Sequence, residues 1–438
     1  MRLNVANQSP RTHEGAPAVP ARSPLDQLRR TVLSCLLWEN SFYEDGVSVA
    51  ERIKTLAAQV APQDLAALAI EARGTMRLRH APLLLVRELA RHPVKLAGIA
   101  DVIDAVIQRA DELTEFLAIY WKDGRQALSK QTKLGLAAAF RKFDAYQLAK
   151  YDRADSIKLR DVLFLCHAKP QDEAQAQLWK ALVDGTLPVP DTWETALSSG
   201  ADKKTTFERL IAERKLGYLA LLRNLRNMHQ AGVDETLVRE ALLAGAARSK
   251  ALPFRFVAAA RAVPAWESTI DEAMRMALCE QPKLTGRTVV LVDVSGSMDC
   301  RLSGKSDLSR LDAACALAVL VRGIAEEVRV FSFSERAVEV PARSGMALVD
   351  AIVRSQPHAS TYLGAALESV KAKVPQADRI IVVTDEQAHD VVGGPGMARG
   401  YMLNVAAYEN GVGYGDWTRI TGFSESVVQY IQAMEAAT

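Results

Sequence analysis

Two aspartates, two serines and a threonine make the most legible chemistry in this chain. The stretch VVLVDVSGSM, residues 289–298, ends an apolar, β-branched run in Asp293, Ser295 and Ser297, a D-x-S-x-S spacing. Alternate residues of a tight loop can turn their side chains toward one point, and carboxylate and hydroxyl oxygens suit a hard divalent cation, Mg2+ above all. Thr361, in HASTYLG, precedes an expected helix, and Asp385, in IIVVTDEQ, ends another apolar run. Three loops would then bring two carboxylates and three hydroxyls to one cation. Asp and Ser after a strand also build ordinary turns and helix caps, so DVSGS alone supports either reading. Thr361 and Asp385 favour the metal.

The elements that must position these residues alternate. Strand-like TVVLVDV, VRVFSF, RIIVVT and YMLNVAAY are interleaved with helical LSRLDAACALAVLVRGIAEE, GMALVDAIVRS, LGAALESVKAK and SESVVQYIQAME. Strand followed by helix, repeatedly, predicts parallel strands with right-handed crossovers, hence a doubly wound α/β domain over residues 285–438. Such sheets keep their chemistry at the carboxyl ends of the strands.

Residues 25–284 have another character. Apolar residues recur every three or four positions, as in FERLIAERKLGYLALLRNLRNMHQAG, which predicts amphipathic helices. The breaks RHPVK, HAKPQD, GTLPVPD and RAVPAWES cut them into hairpins. No strict period is visible, and stacked pairs of the HEAT type are the natural expectation. CEQPKLTGR reads as a linker. Residues 1–24, polar and proline-rich, read as a disordered arm.

Composition narrows the classes. With 438 residues, 49% hydrophobic and 24% charged, the chain is globular and long enough for two or three domains. Its net charge of +2 hides an asymmetry, with 39 Lys and Arg against 34 Asp and Glu up to Glu280, and 15 against 18 beyond. Five cysteines without a CxxC pair argue against a disulfide framework or zinc knuckle and fit a reducing cytoplasm. No segment approaches the roughly 18 apolar residues of a membrane span. SGKS at 303–306 lacks the phosphate-loop glycine, which would stand at Asp299, and VVGGPGMARG and GVGYGDW follow no strand-to-helix turn of the dinucleotide type. No HExxH or GxSxG occurs, so a noncatalytic protein is expected.

Positive charge gathers in the helical part. Residues 122–169 carry eleven Lys and Arg against five Asp. A second basic stretch includes Arg223 and Arg226, three apart on one helical face. Tyr146, Tyr151, Phe164, Tyr218, Phe254 and Phe256 lie among these cations. Cations hold phosphates and rings stack bases, which is what single-stranded RNA requires. The same residues also suit solvated helix faces and buried cores.

Two resemblances sharpen these readings. Asp293, Ser295, Ser297, Thr361 and Asp385 resemble the metal-ion-dependent adhesion site of von Willebrand factor A domains, in which a vacant coordination position takes an acidic group from a partner. LLWENSFYEDGVSVAERIKTL, KYDRADSIKLRDVLFLCHAKP, ALLRNLRNM and LPFRFVAAARA, followed by DVSGSM, are similar to the TROVE-domain proteins, the family of the Ro autoantigen and its bacterial orthologues. That resemblance runs from about residue 25 to the C-terminus. It implies an all-α ring of HEAT-like helical hairpins, monomeric, beside an α/β, Rossmann-like von Willebrand factor A domain.

It also implies Y-like small noncoding RNA on the outer surface of the ring and single-stranded 3′ ends of misfolded RNA in its hole, in RNA quality control, processing or decay. Bacterial members can be tethered by such an RNA to an exoribonuclease. The outer-surface segment matches KYDR and FLCHAKP, which makes Lys150, Arg153, His167 and Lys169 the leading contacts. Lys158 and Arg160 lie between, and Lys130, Lys133, Arg141 and Lys142 complete the cluster. Arg223 and Arg226 would line the hole. His167 has a packed core position as its alternative, and Asn224 suits a structural role equally. Asp152 departs from the pattern by placing a negative charge inside the cluster. A competing reading is a metal-dependent adaptor whose A domain grips an acidic partner.

Overall fold

The computed structural model describes residues 11–12, 14–17, 23–32, 46–76, 78–152, 156–249, 251–302, 308–406, 411–413, 415–421 and 427–436. The helical region begins with α1 (Pro24–Val32), α2 (Gly46–Ala57), α3 (Pro62–Gly74), α4 (His80–Arg91), α5 (Ile99–Val106), α6 (Ala110–Tyr120), α7 (Lys130–Phe140) and α8 (Ala145–Tyr151). It continues through α9 (Leu159–Cys166), α10 (Glu173–Asp184), α11 (Trp193–Ser198), α12 (Lys203–Ala212), α13 (Tyr218–Ala231), α14 (Glu235–Ala246), α15 (Pro253–Ala262) and α16 (Glu267–Cys279).

The polar breaks do local work. Asp144, Asp172, Thr192, Asp202 and Asp234 each accept a backbone N–H of the first turn that follows, satisfying a donor the helix cannot use itself. Gly185 and Gly232 end α10 and α13 in the left-handed region. The helices then stack as two layers, α3, α5, α7 and α9 in one and α2, α4, α6 and α8 in the other, each touching the next but one. The same pattern resumes with α12, α14 and α16 against α13 and α15. This is the HEAT-like hairpin arrangement.

One close approach tests it. A methyl at Gly135 would come within 2.6 Å of Ile103 Cβ and 2.7 Å of Ala100 O, so α7 sits nearly backbone to backbone on α5. Gly135→Ala is expected to lower unfolding free energy by about 1–3 kcal/mol in a urea titration, because neither neighbour is a flexible chain end. A loss of a few tenths would mean the two helices separate easily.

The second region comprises β1 (Leu284–Asp293), α17 (Arg310–Ile324), β2 (Ala325–Phe333), β3 (Ala337–Glu339), α18 (Gly345–Val353), α19 (Leu363–Lys373), β4 (Arg379–Thr384), β5 (Arg399–Asn404), β6 (Thr418–Thr421) and α20 (Val427–Ala436). The strand order is β3-β2-β1-β4-β5-β6, parallel except for β3. Val290, Val292, Ile381 and Val383 face one apolar layer, while Val289, Leu291, Ile380 and Val382 face the other. Both faces being covered explains why these strands read as unbroken apolar runs.

Several expectations need correction. Ala325, Glu326 and Glu327, read as a helix end, open β2, because the exposed start of a strand tolerates charge. The short β3 and β6 were not anticipated, and β3 makes the sheet mixed. CEQPKLTGR is not a free linker, since strand β1 already runs from Leu284 and α15 and α16 lie against α17. Of the arm expected to be disordered, residues 1–10, 13 and 18–22 lie outside the described residues; within the rest Arg11 bridges Pro17, and Thr12 and Ala16 are buried.

At its other end the helical arc returns to the same platform, α1 lying against β6. One apolar cluster runs from Leu28 through the hairpins to Ile431. The arc is thus closed into a ring by the sheet region. Among the described residues no helix is long and apolar enough to cross a membrane.

Candidate functional site

Topology puts the aspartates together. The chain leaves β1 toward β2 on one side and returns to β4 on the other, so the strand order reverses between β1 and β4. Val292 pairs with Val383 there, and the next residues are Asp293 and Thr384, followed by Asp385. A crevice outside the carboxyl ends of two diverging strands is the usual ligand site of such sheets.

Asp293 is wholly buried; its Oδ1 accepts from Ser295 N at 2.8 Å and its Oδ2 from Thr384 Oγ1 at 2.6 Å. The first contact is an Asx turn, so the ordinary-turn reading of DVSGS is also met. Ser295 Oγ and Ser297 Oγ lie 3.3 Å apart. The Ser297 hydroxyl reaches Asp385, whose Oδ1 also accepts from Gln387 N at 3.2 Å. Thr361 arrives on the loop before α19. That loop is pinned by Gly296 N donating to Ala359 O at 3.0 Å and by the buried Ser334 hydroxyl donating to Ser360 O at 2.9 Å.

Asp385 is wholly buried too. Burial, then the charge of Asp385, pushes Asp293 up to about 7. Burial likewise raises Asp385, against the pull of Ser297 and Arg310. Arg310, 2% exposed, brings its Nη1 within 3.5 Å of Asp385 Oδ2, a long approach for an ion pair. Two carboxylates share the site with one distant guanidinium and with the hydroxyls of Thr384 and Ser297 bonded to them, that of Ser295 lying 3.3 Å from Ser297. That donor set fits a hard divalent cation. Among the described residues no group of three His, Cys, Asp or Glu meets at ligating distance, so the hydroxyls are needed to complete it.

Four contributors were not foreseen. Thr384 and Arg310 sit one residue from a named ligand and at a helix start, where TD and a Ser309–Asp312 capping box are weak signals. His389 accepts from Thr361 N on Nδ1 at 3.1 Å. Asp390 caps α19 through Gly364 N and Ala365 N, at 3.0 and 2.8 Å, tying the Asp385 loop to the Thr361 helix.

The basic residues fall in two places. Near the C-terminal end of α9, Arg141 Nε donates to Lys169 O at 3.2 Å, and Lys133 and Arg141 both act on Cys166. His167 is exposed there at φ 53°, as the left-handed cap of α9, so its core reading is overturned. Phe164 is 58% and Tyr146 51% exposed, and Lys150 Nζ stands 5.8 Å from the rings of Tyr146 and Tyr151. Lys158 and Arg160 occupy the other end of α9, and Lys130 is exposed at the start of α7. Arg153 lies outside the described residues.

Lys142 is partly exposed and engaged within the fold. Its Nζ bonds Asp104 O, Ile107 O at 2.6 Å and Asp104 Oδ1 at 2.9 Å, so it serves as a cation at the C-terminus of α5. On α13, Arg223 and Arg226 are exposed on one face, while Asn224, 2% exposed, donates to Ala220 O and is structural. Phe256 is fully buried and Tyr218 donates to Leu242 O, so these two rings belong to the core.

The TROVE domain family model matches residues 184–293, and the Ro60 vWA domain model matches residues 287–394. The RNA-binding protein RO60 of Deinococcus radiodurans is 25% identical over 311 residues, 58% of this chain and 58% of that protein. The chain therefore aligns with little more than half the length of that curated relative. The crystal structure of the Deinococcus radiodurans RO (RSR) protein superimposes with a TM-score of 0.62 at 20% identity, covering 93% of this chain and 99% of that one. The last likeness is one of fold.

Proposed function

We propose that this chain, which joins a TROVE domain to a Ro60 vWA domain, is a noncatalytic RNA-binding ring protein of the cytoplasm that serves RNA quality control, processing or decay. The observation that carries the reading is the surface around α9. Lys133, Arg141, His167 and Lys169 gather at the end of α9 that carries the exposed ring of Phe164, and on α8 Lys150 stands 5.8 Å from the exposed ring of Tyr146. Cations beside uncovered rings match a polynucleotide, in which phosphates and bases alternate along the strand. This surface would hold a structured Y-like RNA, and Arg223 and Arg226 of α13 a single-stranded 3′ end. An exoribonuclease could be tethered through the same RNA.

The reading is tested with two labelled RNAs, a stem-loop and a stem with a free 3′ tail. Binding of both should fall with salt, with a logarithmic slope of about −0.7 per phosphate neutralised. Four such contacts would cost about 50-fold between 50 and 200 mM salt. Lys150→Ala combined with Lys169→Ala should weaken the stem-loop about tenfold and leave tail binding nearly unchanged. A flat salt response would sink the electrostatic account, and equal loss for both RNAs would merge the two surfaces.

A second part of the proposal concerns the vWA region. Asp293, Ser295, Ser297, Thr361 and Asp385 would hold Mg2+, which when bound supplies positive charge to an incoming acidic group. Two wholly buried carboxylates, faced by the guanidinium of Arg310 at 3.5 Å, support this. It also keeps open a partner-binding role for this domain.

A further inference from the structure

The N-terminal arm carries a third carboxylate to the same sheet edge. Thr12 N donates to Ala16 O at 2.9 Å, and Ala16 N donates back to Thr12 Oγ1 at 3.0 Å, closing a turn through Gly15 at φ 93°. The turn is docked. Thr12 Oγ1 donates to Ala388 O at 2.9 Å, and Ala16, 1% exposed, joins the apolar layer formed by Val289, Leu291, Leu363 and Ala388. Ala388 follows Asp385 by three residues, so the arm rests on the loop that carries the second aspartate.

From this turn Glu14 Oε2 reaches His389 Nε2 at 3.1 Å. Nδ1 of the ring lies 3.1 Å from Thr361 N and 3.3 Å from Thr361 O; in the tautomer that accepts from Thr361 N, the proton is on Nε2 and Glu14 is its acceptor. His389 also stacks on Tyr362, with centroids 5.5 Å apart. One ring thus joins the arm's acid to the backbone of a candidate ligand. Glu14 is near enough for its charge to act on Asp385. With no cation, a third carboxylate approaching two buried ones is repelled; with a cation between them the sign reverses.

We propose that the turn carrying Thr12, Glu14 and Ala16 is an intramolecular strap over the loops that bear Asp385 and Thr361, and that Glu14 is the chain's own acidic group for the cation site, competing with any external carboxylate. The proposal rests on the cation reading above. It concerns what covers the site rather than what binds it.

The test uses the full chain. Deuterium exchange of the peptide spanning residues 11–17 should slow about tenfold when Mg2+ is added, and excess acetate should reverse the slowing. In Glu14→Gln the Mg2+ response should vanish, while Glu14→Asp keeps part of it. Mn2+ affinity, followed by electron paramagnetic resonance, should drop about threefold to tenfold in Glu14→Gln. If the chain binds Mn2+ but neither exchange nor affinity depends on Glu14, the strap is wrong and the cation site stands. If no Mn2+ is bound at all, both fall.

Discussion

Asp293→Asn is expected to lower Mn2+ affinity about 100-fold and to abolish the rise in thermal stability that Mg2+ gives the unsubstituted chain. The amide keeps the shape of the carboxylate and one acceptor for Ser295 N, and removes the charge together with the acceptor of the Thr384 hydroxyl. That charge is the one that burial and Asp385 already disfavour. The cation-free variant should therefore unfold close to the parent. The difference emerges on adding cation, since a ligand bound only to the native state at 100 times its dissociation constant stabilises by about 2.7 kcal/mol. Calorimetry with and without Mg2+ separates the cases. A variant that melts early in both conditions and still gains from Mg2+ would make Asp293 a structural residue only.

Reversing charge on α13 should have a comparable effect on RNA. Arg223→Glu with Arg226→Glu replaces two exposed cations on one helix face by two anions. Two lost phosphate contacts plus repulsion amount to about 2.8 kcal/mol, or about 100-fold, in affinity for an RNA with a free 3′ tail. The salt slope should shrink by about 1.4, because two fewer phosphates are neutralised. The stem-loop without a tail, bound through α7 to α9, should hardly respond. Filter binding across a salt series measures both quantities. Unchanged tail affinity would move the single-strand surface off α13.

What the sequence disclosed follows a physical division. D-x-S-x-S is legible because one loop carries three donors, and Asp385 because it ends a buried apolar run. Helical hairpins are legible because amphipathic periodicity and proline-bearing breaks are local properties. Arg310, Thr384, His389 and Glu14 are different, for each acquires its role only when distant segments meet at a sheet edge. Glu14 lies 375 positions from His389 along the chain, in a stretch whose composition suggests disorder. A turn closed by Thr12 and buried through a single alanine leaves almost no trace in composition. The strands β3 and β6, three and four residues long, are too short to show a period. The tie of Lys142 to the end of α5 was not legible, because a cation ending a helix and a cation facing solvent are written with the same letter.

The return of α1 to β6, with α15 and α16 resting on α17, has a consequence for how this architecture can change. An open solenoid gains or loses a repeat freely, since each unit touches only its neighbours. Here the turning contributed by every hairpin must add up to the span between two fixed seats. Duplication or deletion of a whole hairpin would leave one seat unfilled, so divergence in length is confined to the connecting loops.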